Sequence, residues 1–197
     1  MNADSVRYYL ALILVVSYPP AFAVWFMIHP FIGFWRRRGP AITYTVTMSA
    51  ALVGCYGIFR FRDTLLAMEF GRSGVLMALG IGLYALAMVV EAKCRRYLSL
   101  RTLLGVPELK AAEEGPGNLL QEGIYARVRH PRYLGVMLGG AGVACGANYL
   151  APYVLMVALV PVVYALTVIE EIELRQRFGQ AYERYQDAVP RLIPRFG

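Results

Sequence analysis

Five apolar runs constrain this chain more than any other feature: residues 9–28, 41–59, 73–90, 133–147 and 152–169 each read as a helix near bilayer-spanning length. About 20 apolar residues cross the roughly 30 Å hydrocarbon layer, and a helix satisfies its own backbone polar groups there. The fourth run is short by that count, and its ends extend through Arg132 or toward Leu150. A soluble domain of 197 residues cannot bury 58% hydrophobic residues behind 17% charged ones. The mean hydropathy of +0.48 agrees. The expected fold is an all-α, multi-pass transmembrane helical bundle of about five spans with a C-terminal region on the cytosolic face. In the first run, Ala21-Phe22-Ala23 resembles a signal cleavage site. The run nevertheless stays apolar through Val24-Trp25-Phe26-Met27-Ile28, and Asp4 offsets Arg7, which favours an uncleaved span.

Charge sets the expected orientation. If five spans alternate, then Arg36, Arg37 and Arg38, the segment 93–132 and the tail share one side. That side holds all of the 20 Lys and Arg residues except Arg7, Arg60, Arg62 and Arg72. The positive-inside rule puts the N-terminus outside and the other side in the cytosol. A net charge of +7 spread over membrane-flanking loops argues against nucleic acid as a partner and makes the bilayer the principal one. Cys55, Cys94 and Cys145 lie far apart, which fits neither a disulfide framework nor a zinc site.

By these boundaries the chain is one domain. Residues 1–92 hold three spans, 93–132 a cytosolic segment broken by Pro107, Gly115-Pro116-Gly117 and Gly123, 133–170 a helical hairpin, and 171–197 a cytosolic tail. The tail is expected to continue the last helix to about Val189 and end in a proline-rigid terminus. Gly135, Gly139, Gly142 and Gly146 make small-residue pairs that permit close helix approach. Packing within the chain is the favoured use, and a homodimer the lesser one. His29, beside Pro30 at the end of the first span, reads as an interfacial residue rather than a catalyst.

At the mouth of the hairpin lies an ordered set of polar residues: Gly123-Ile124-Tyr125, Arg129-His130-Pro131-Arg132-Tyr133-Leu134-Gly135, Glu170-Glu171, Phe178-Gly179 with Tyr182 and Tyr185, and Val189-Pro190-Arg191-Leu192-Ile193-Pro194. A short hairpin connection brings His130 and the glutamates to one membrane face. Each residue has a plain reading too. Pro131 suits the first position of a helix, Arg129 and Arg132 could anchor to headgroups, and Glu170, Glu171 and Glu173 could form a solvated helix face.

Taken together, the set resembles the isoprenylcysteine carboxyl methyltransferase and phospholipid methyltransferase family, closely over about the last 80 residues and by hydropathy alone before that. The resemblance implies a membrane enzyme that transfers a methyl group from S-adenosyl-L-methionine to a lipophilic small molecule or lipidated substrate. It assigns His130, Pro131, Arg132 and Tyr133 to donor binding, with Tyr125 and Gly117, Asn118, Leu119 and Leu120 lining the same pocket. Glu171 would receive the donor's amino group and Glu170 would face the lipid-side substrate, the two forming the catalytic pair. No metal is implied. Methyl transfer suits such a pocket, because in-line placement and exclusion of water contribute more than acid-base machinery, about 7–11 kcal/mol for orientation alone.

One position departs from the pattern. Members that methylate a prenylcysteine carboxylate carry an arginine one helical turn before the second glutamate, suited to grip the acceptor's carboxylate. Here that place is Thr167, which favours an amine headgroup, a thiol or another isoprenoid-like acceptor. A similar Arg-His-Pro-x-Tyr stretch in the sterol reductases implies an NADPH-dependent alternative, and a non-catalytic membrane scaffold is a third reading.

Overall fold

The computed structural model describes residues 2–98 and 118–194. Helix α1 spans Ala3–Ile28 and opens on Asn2, whose side chain accepts the Ser5 N–H at 2.8 Å. A single 3-10 turn, His29–Phe31, joins it to α2, Ile32–Arg60. α2 is two helices across a kink. Gly39 sits at φ 78° and ψ 163°, a left-handed backbone that glycine adopts without a Cβ clash, and Pro40 restarts the helix where its missing N–H is not needed. Short α3, Arg62–Leu65, precedes α4, Gly74–Arg95, which Ser73 caps. α5, Pro131–Ala147, follows a second 3-10 turn at Gly123–Ala126. α6 is Leu150–Phe178 and α7 is Gln180–Ala188.

All five expected apolar helices are present, but their span count is not uniform. Among the described residues, three helical stretches are long and apolar enough to cross a membrane: Ala3–Arg60, which contains α1 and α2, then Gly74–Arg95 and Leu150–Phe178. α5 has 17 residues. At about 1.5 Å per residue it reaches about 25 Å, short of the hydrocarbon thickness. The tail also departs from the expected continuous helix. α6 runs to Phe178 and stops at Gly179, φ 54°, where the chain turns into α7.

α5 sits at the centre because it lacks side-chain bulk. A Cβ on Gly142 would lie 2.7 Å from the Gly80 carbonyl oxygen of α4, and one on Gly80 would lie 2.6 Å from the Gly142 oxygen. On its other face, a Cβ at Gly140 would meet Met156 of α6 at 2.7 Å and Tyr18 of α1 at 2.8 Å. The glycines thus serve packing within the chain, letting three helices approach one backbone. Around them Leu14, Phe22, Ala144, Met156, Leu159, Val163 and Leu166 form the main buried cluster.

The helix ends gather into two polar clusters. At one end, buried Arg7 donates to the Ala147 carbonyl at 3.0 Å, placing a cation at the C-terminus of α5 where the helix dipole favours it. Asn148 adopts φ 57° there and bonds the Gly71 oxygen, while Glu69 and Tyr149 form an antiparallel bridge, the sole extended pairing among the described residues. At the other end meet the end of α1, the start of α2, the start of α5, the end of α6 and the tail.

Candidate active site

Two backbone hydrogen bonds build this second cluster. Arg129 N–H donates to Pro190 O at 2.9 Å and His130 N–H to Arg191 O at 3.0 Å, so the Val189-Pro190-Arg191 stretch lies alongside the His-Pro motif. The pairing is possible because His130, before a proline, is held out of helical geometry at φ −120° and ψ 59°. Tyr185 of α7 adds a hydroxyl bond to the Tyr125 carbonyl at 2.6 Å.

Adjacent glutamates on α6 point about 100° apart and therefore do different things. Glu171 is fully buried. Its carboxylate accepts from Arg129 (2.8 and 2.9 Å), Arg191 (2.6 and 3.1 Å), Gln186 (2.9 Å) and His130 Nε2 (3.1 Å). Arg175, one turn on, reaches the Glu171 backbone oxygen instead of the carboxylate. Glu170 accepts from the Tyr133 hydroxyl, pairs with His130 Nδ1 at 3.3 Å, and stands 3.2 Å from His29 Nε2 without a hydrogen bond.

His130 thus bridges two carboxylates through both ring nitrogens. An ionised carboxylate only accepts, so both nitrogens must donate and the ring must be an imidazolium. Burial by itself lowers the affinity for that proton, but the hydrogen bonds to Glu170 and Glu171 outweigh it and raise the His130 pKa above the ordinary imidazole value. Burial pushes the phenols of Tyr125 and Tyr182 well up, and Tyr185 up to about 12. All three remain neutral donors at working pH.

Next to this cluster lies a cavity of about 650 Å³, within the range of small-molecule sites. Of the residues assigned from sequence, Asn118, Leu119, Leu120, Tyr125, His130, Pro131, Arg132, Tyr133 and Glu170 line it. Glu171 does not: it stands behind the wall, enclosed by its protein partners. Thr167 does not either; it is buried, and its hydroxyl bonds the Tyr164 carbonyl at 2.7 Å. Gly117 lies outside the described residues. The structure adds wall residues not assigned to the pocket from sequence: Trp25 from α1, His29 from the turn after it, Tyr97, Glu173, Phe178 and Tyr182. His29 stacks on Trp25 at 5.2 Å and faces Glu170, so it is a cavity-wall residue. No periodicity marks it; its position beside Glu170 appears only when α1 meets α6.

The wall has a gradient. Carboxylates, imidazoles and phenols cluster at the helix ends, whereas Ala21, Phe22 and Val136 continue it along α1 and α5. Ala21 precedes His29 by about 12 Å of helix, so the apolar end reaches well into the span. The Tyr182 hydroxyl is buried in this wall without a hydrogen-bond partner.

Comparison with known proteins adds the family. Residues 75–181, more than half of the chain, match the phospholipid methyltransferase family model. The chain belongs to the phospholipid methyltransferase family. As a member of it, with three helical stretches suited to crossing a bilayer, the chain is an integral membrane protein of a methyltransferase family. It is also similar to a Delta(14)-sterol reductase of Mus musculus, 33% identical over 79 residues, which is 39% of this chain and 19% of that protein. A Delta(14)-sterol reductase of Gallus gallus is 32% identical over 74 residues, 36% of this chain and 12% of that protein. The aligned stretch spans less than a fifth of either relative. No solved structure matches. The family match begins inside α4 and ends inside α7, so His29 and the Arg191 tail both lie outside it.

Proposed function

We propose that this protein transfers a methyl group from S-adenosyl-L-methionine to a lipophilic acceptor that enters from the bilayer. In this reading α1, α2, α4, α5 and α6 make five crossings, the N-terminus lies outside, and the site and tail face the cytosol. The observation that carries it is the graded cavity, polar at the helix ends and apolar along α1, because a water-soluble cationic donor and a lipid-like acceptor must meet there.

The residues present fit the donor. Glu170 and Glu173 supply carboxylates in the wall for its amino and sulfonium charges, Phe178 and Tyr97 supply aromatic faces, and the unpartnered Tyr182 hydroxyl awaits a polar atom. When bound, the donor supplies an electrophilic methyl. Protein groups then hold the reacting atoms in line and exclude water, the tail closing over Arg129 and His130. Glu170, facing the cavity, takes the role of direct carboxylate contact. Glu171 positions Arg129, His130 and Arg191 around it. Thr167 stands where an arginine would suit a carboxylate acceptor and offers no positive charge, which favours an amine, thiol or other non-carboxylate acceptor.

Tritiated methyl transfer into membrane lipid extract by purified protein tests this reading, together with calorimetric binding of S-adenosylhomocysteine. No incorporation and no binding would refute it. The sterol-reductase matches favour a second reading, an NADPH-binding membrane reductase. A thermal-shift pair separates them: stabilisation by NADPH and not by S-adenosylhomocysteine would choose the reductase.

A further inference from the structure

His29 comes from the turn after α1, outside the family-matched residues, yet it reaches the centre of the site. Its side chain is 11% exposed, and its ring is clamped flat against Trp25, with 24° between the planes. Nε2 stands 3.2 Å from Glu170 Oε1, within ion-pair distance but out of hydrogen-bond alignment, and is a buried polar atom without a bonded partner. It lines the cavity. The chain has two histidines. His130 is spoken for, held between two carboxylates with both nitrogens donating. His29 is the remaining imidazole in the wall.

We propose that His29 accepts the proton that a protic acceptor, an amine, thiol or hydroxyl, gives up on methylation, with Glu170 holding the imidazolium that results. This rests on the methyltransferase reading above. The acceptor atom's lone pair closes the new bond to the methyl carbon, and the methyl–sulfur bond breaks with its electron pair returning to sulfur. The acceptor's own proton passes to Nε2 of His29. Positive charge leaves the sulfonium and ends on the imidazole, so atoms and charge balance, and the proton later departs to water at the cavity mouth. The charged groups facing His29 suit this. Glu170 faces it from α6, and Glu173 of α6, which lines the same cavity, accepts from Arg36 of α2 at 2.8 Å. Glu170 is itself oriented by Tyr133 and His130. A carboxylate acceptor needs none of this, since its oxygen carries no proton to lose.

The test uses full-length protein, tritiated donor and a total membrane lipid extract. Labelled products are treated with alkali, which releases methyl esters as volatile methanol and leaves N-, S- and O-methyl ethers intact. Wild type is expected to give alkali-stable label. His29→Gln is expected to lower turnover about 100-fold or more while S-adenosylhomocysteine affinity by calorimetry stays within twofold. The deficit should shrink as pH rises, and added imidazole should restore part of the rate to His29→Ala, which a purely structural role would not permit. Alkali-labile label, His29→Gln turnover within twofold of wild type, or no label despite donor binding would overturn the inference. No donor binding by wild type would overturn instead the reading beneath it.

Discussion

Replacing Glu171 by Gln should destabilise the fold far more than replacing a cavity-wall residue that takes no part in its ion pairs. The carboxylate is fully buried and receives two guanidinium groups and an imidazolium at 2.6–3.1 Å. At an effective dielectric of about 20, a charge pair at 2.6–2.8 Å is worth about 6 kcal/mol gross. Desolvation offsets most of that while the pairs are intact. Removing the central anion leaves the desolvation cost and takes away the attraction: Arg129, Arg191 and His130 then face one another with Glu170 as the nearby carboxylate. The expected loss is about 3–5 kcal/mol, or about 6–20 °C in Tm for a chain of this length. Thermal unfolding in detergent, followed by tryptophan fluorescence, measures it. Combining the change with Arg191→Gln should recover part of the loss, because one uncompensated cation goes with it. A Glu171→Gln protein melting within about 2 °C of wild type would refute the ionic account of this cluster, whatever its activity.

His130 gives that cluster a pH signature. Its pKa is raised in the folded protein, so its stabilising contribution is complete below the unfolded value of about 6.5 and is lost as pH rises through the folded value. Wild-type Tm should therefore fall with rising pH over that window, and the slope should flatten in His130→Gln; equal slopes would contradict the assignment. Tyr182→Phe should leave stability within about 0.5 kcal/mol of wild type, since its hydroxyl has no partner, yet weaken S-adenosylhomocysteine binding about 2- to 12-fold if the donor takes that bond, as calorimetry would read. Gly142→Ala should cost about 1–3 kcal/mol by driving a Cβ against the Gly80 carbonyl and the Tyr84 backbone nitrogen, both under 3.0 Å away, whereas Gly82→Ala, with nothing within 4 Å, should melt like wild type.

What was legible in the sequence follows from the range of each interaction. Hydropathy is a local property, so all five helices and their approximate limits could be read. The Arg129–Tyr133 and Glu170–Glu171 segments could be brought to one face from hairpin geometry alone. Which glutamate faces the cavity could not. It depends on the rotation of α6 about its axis, and that rotation is fixed by Leu159, Val163 and Leu166 entering the main core. The α6 terminus was misjudged because amphipathic periodicity continues through Tyr182 and Tyr185, while the break is a single glycine with φ 54°. His29 was invisible for a different reason: its partner lies about 140 residues away in sequence, and an isolated His-Pro after an apolar run carries no chemistry of its own.

The residue order along α6 explains why a site in this bundle needs both chain ends. With about 100° between successive side chains, one carboxylate can face the cavity only if its neighbour turns toward the tail. Glu171 on that side must be neutralised, and the nearest groups able to do so without adding bulk between α5 and α6 are guanidinium groups arriving from Arg129 and from Arg191. Arg191 can reach it because Val189-Pro190-Arg191 is pinned to the His-Pro backbone, and Pro190 there keeps the stretch extended. The cavity-facing Glu170 is then left to groups from the opposite direction, Tyr133 from α5, His130 just before it and His29 from the turn after α1. The pair of glutamates therefore divides the work by geometry. Glu171 joins the tail to the bundle, Glu170 joins the first helix to the cavity, and His130, protonated on both nitrogens, links the two.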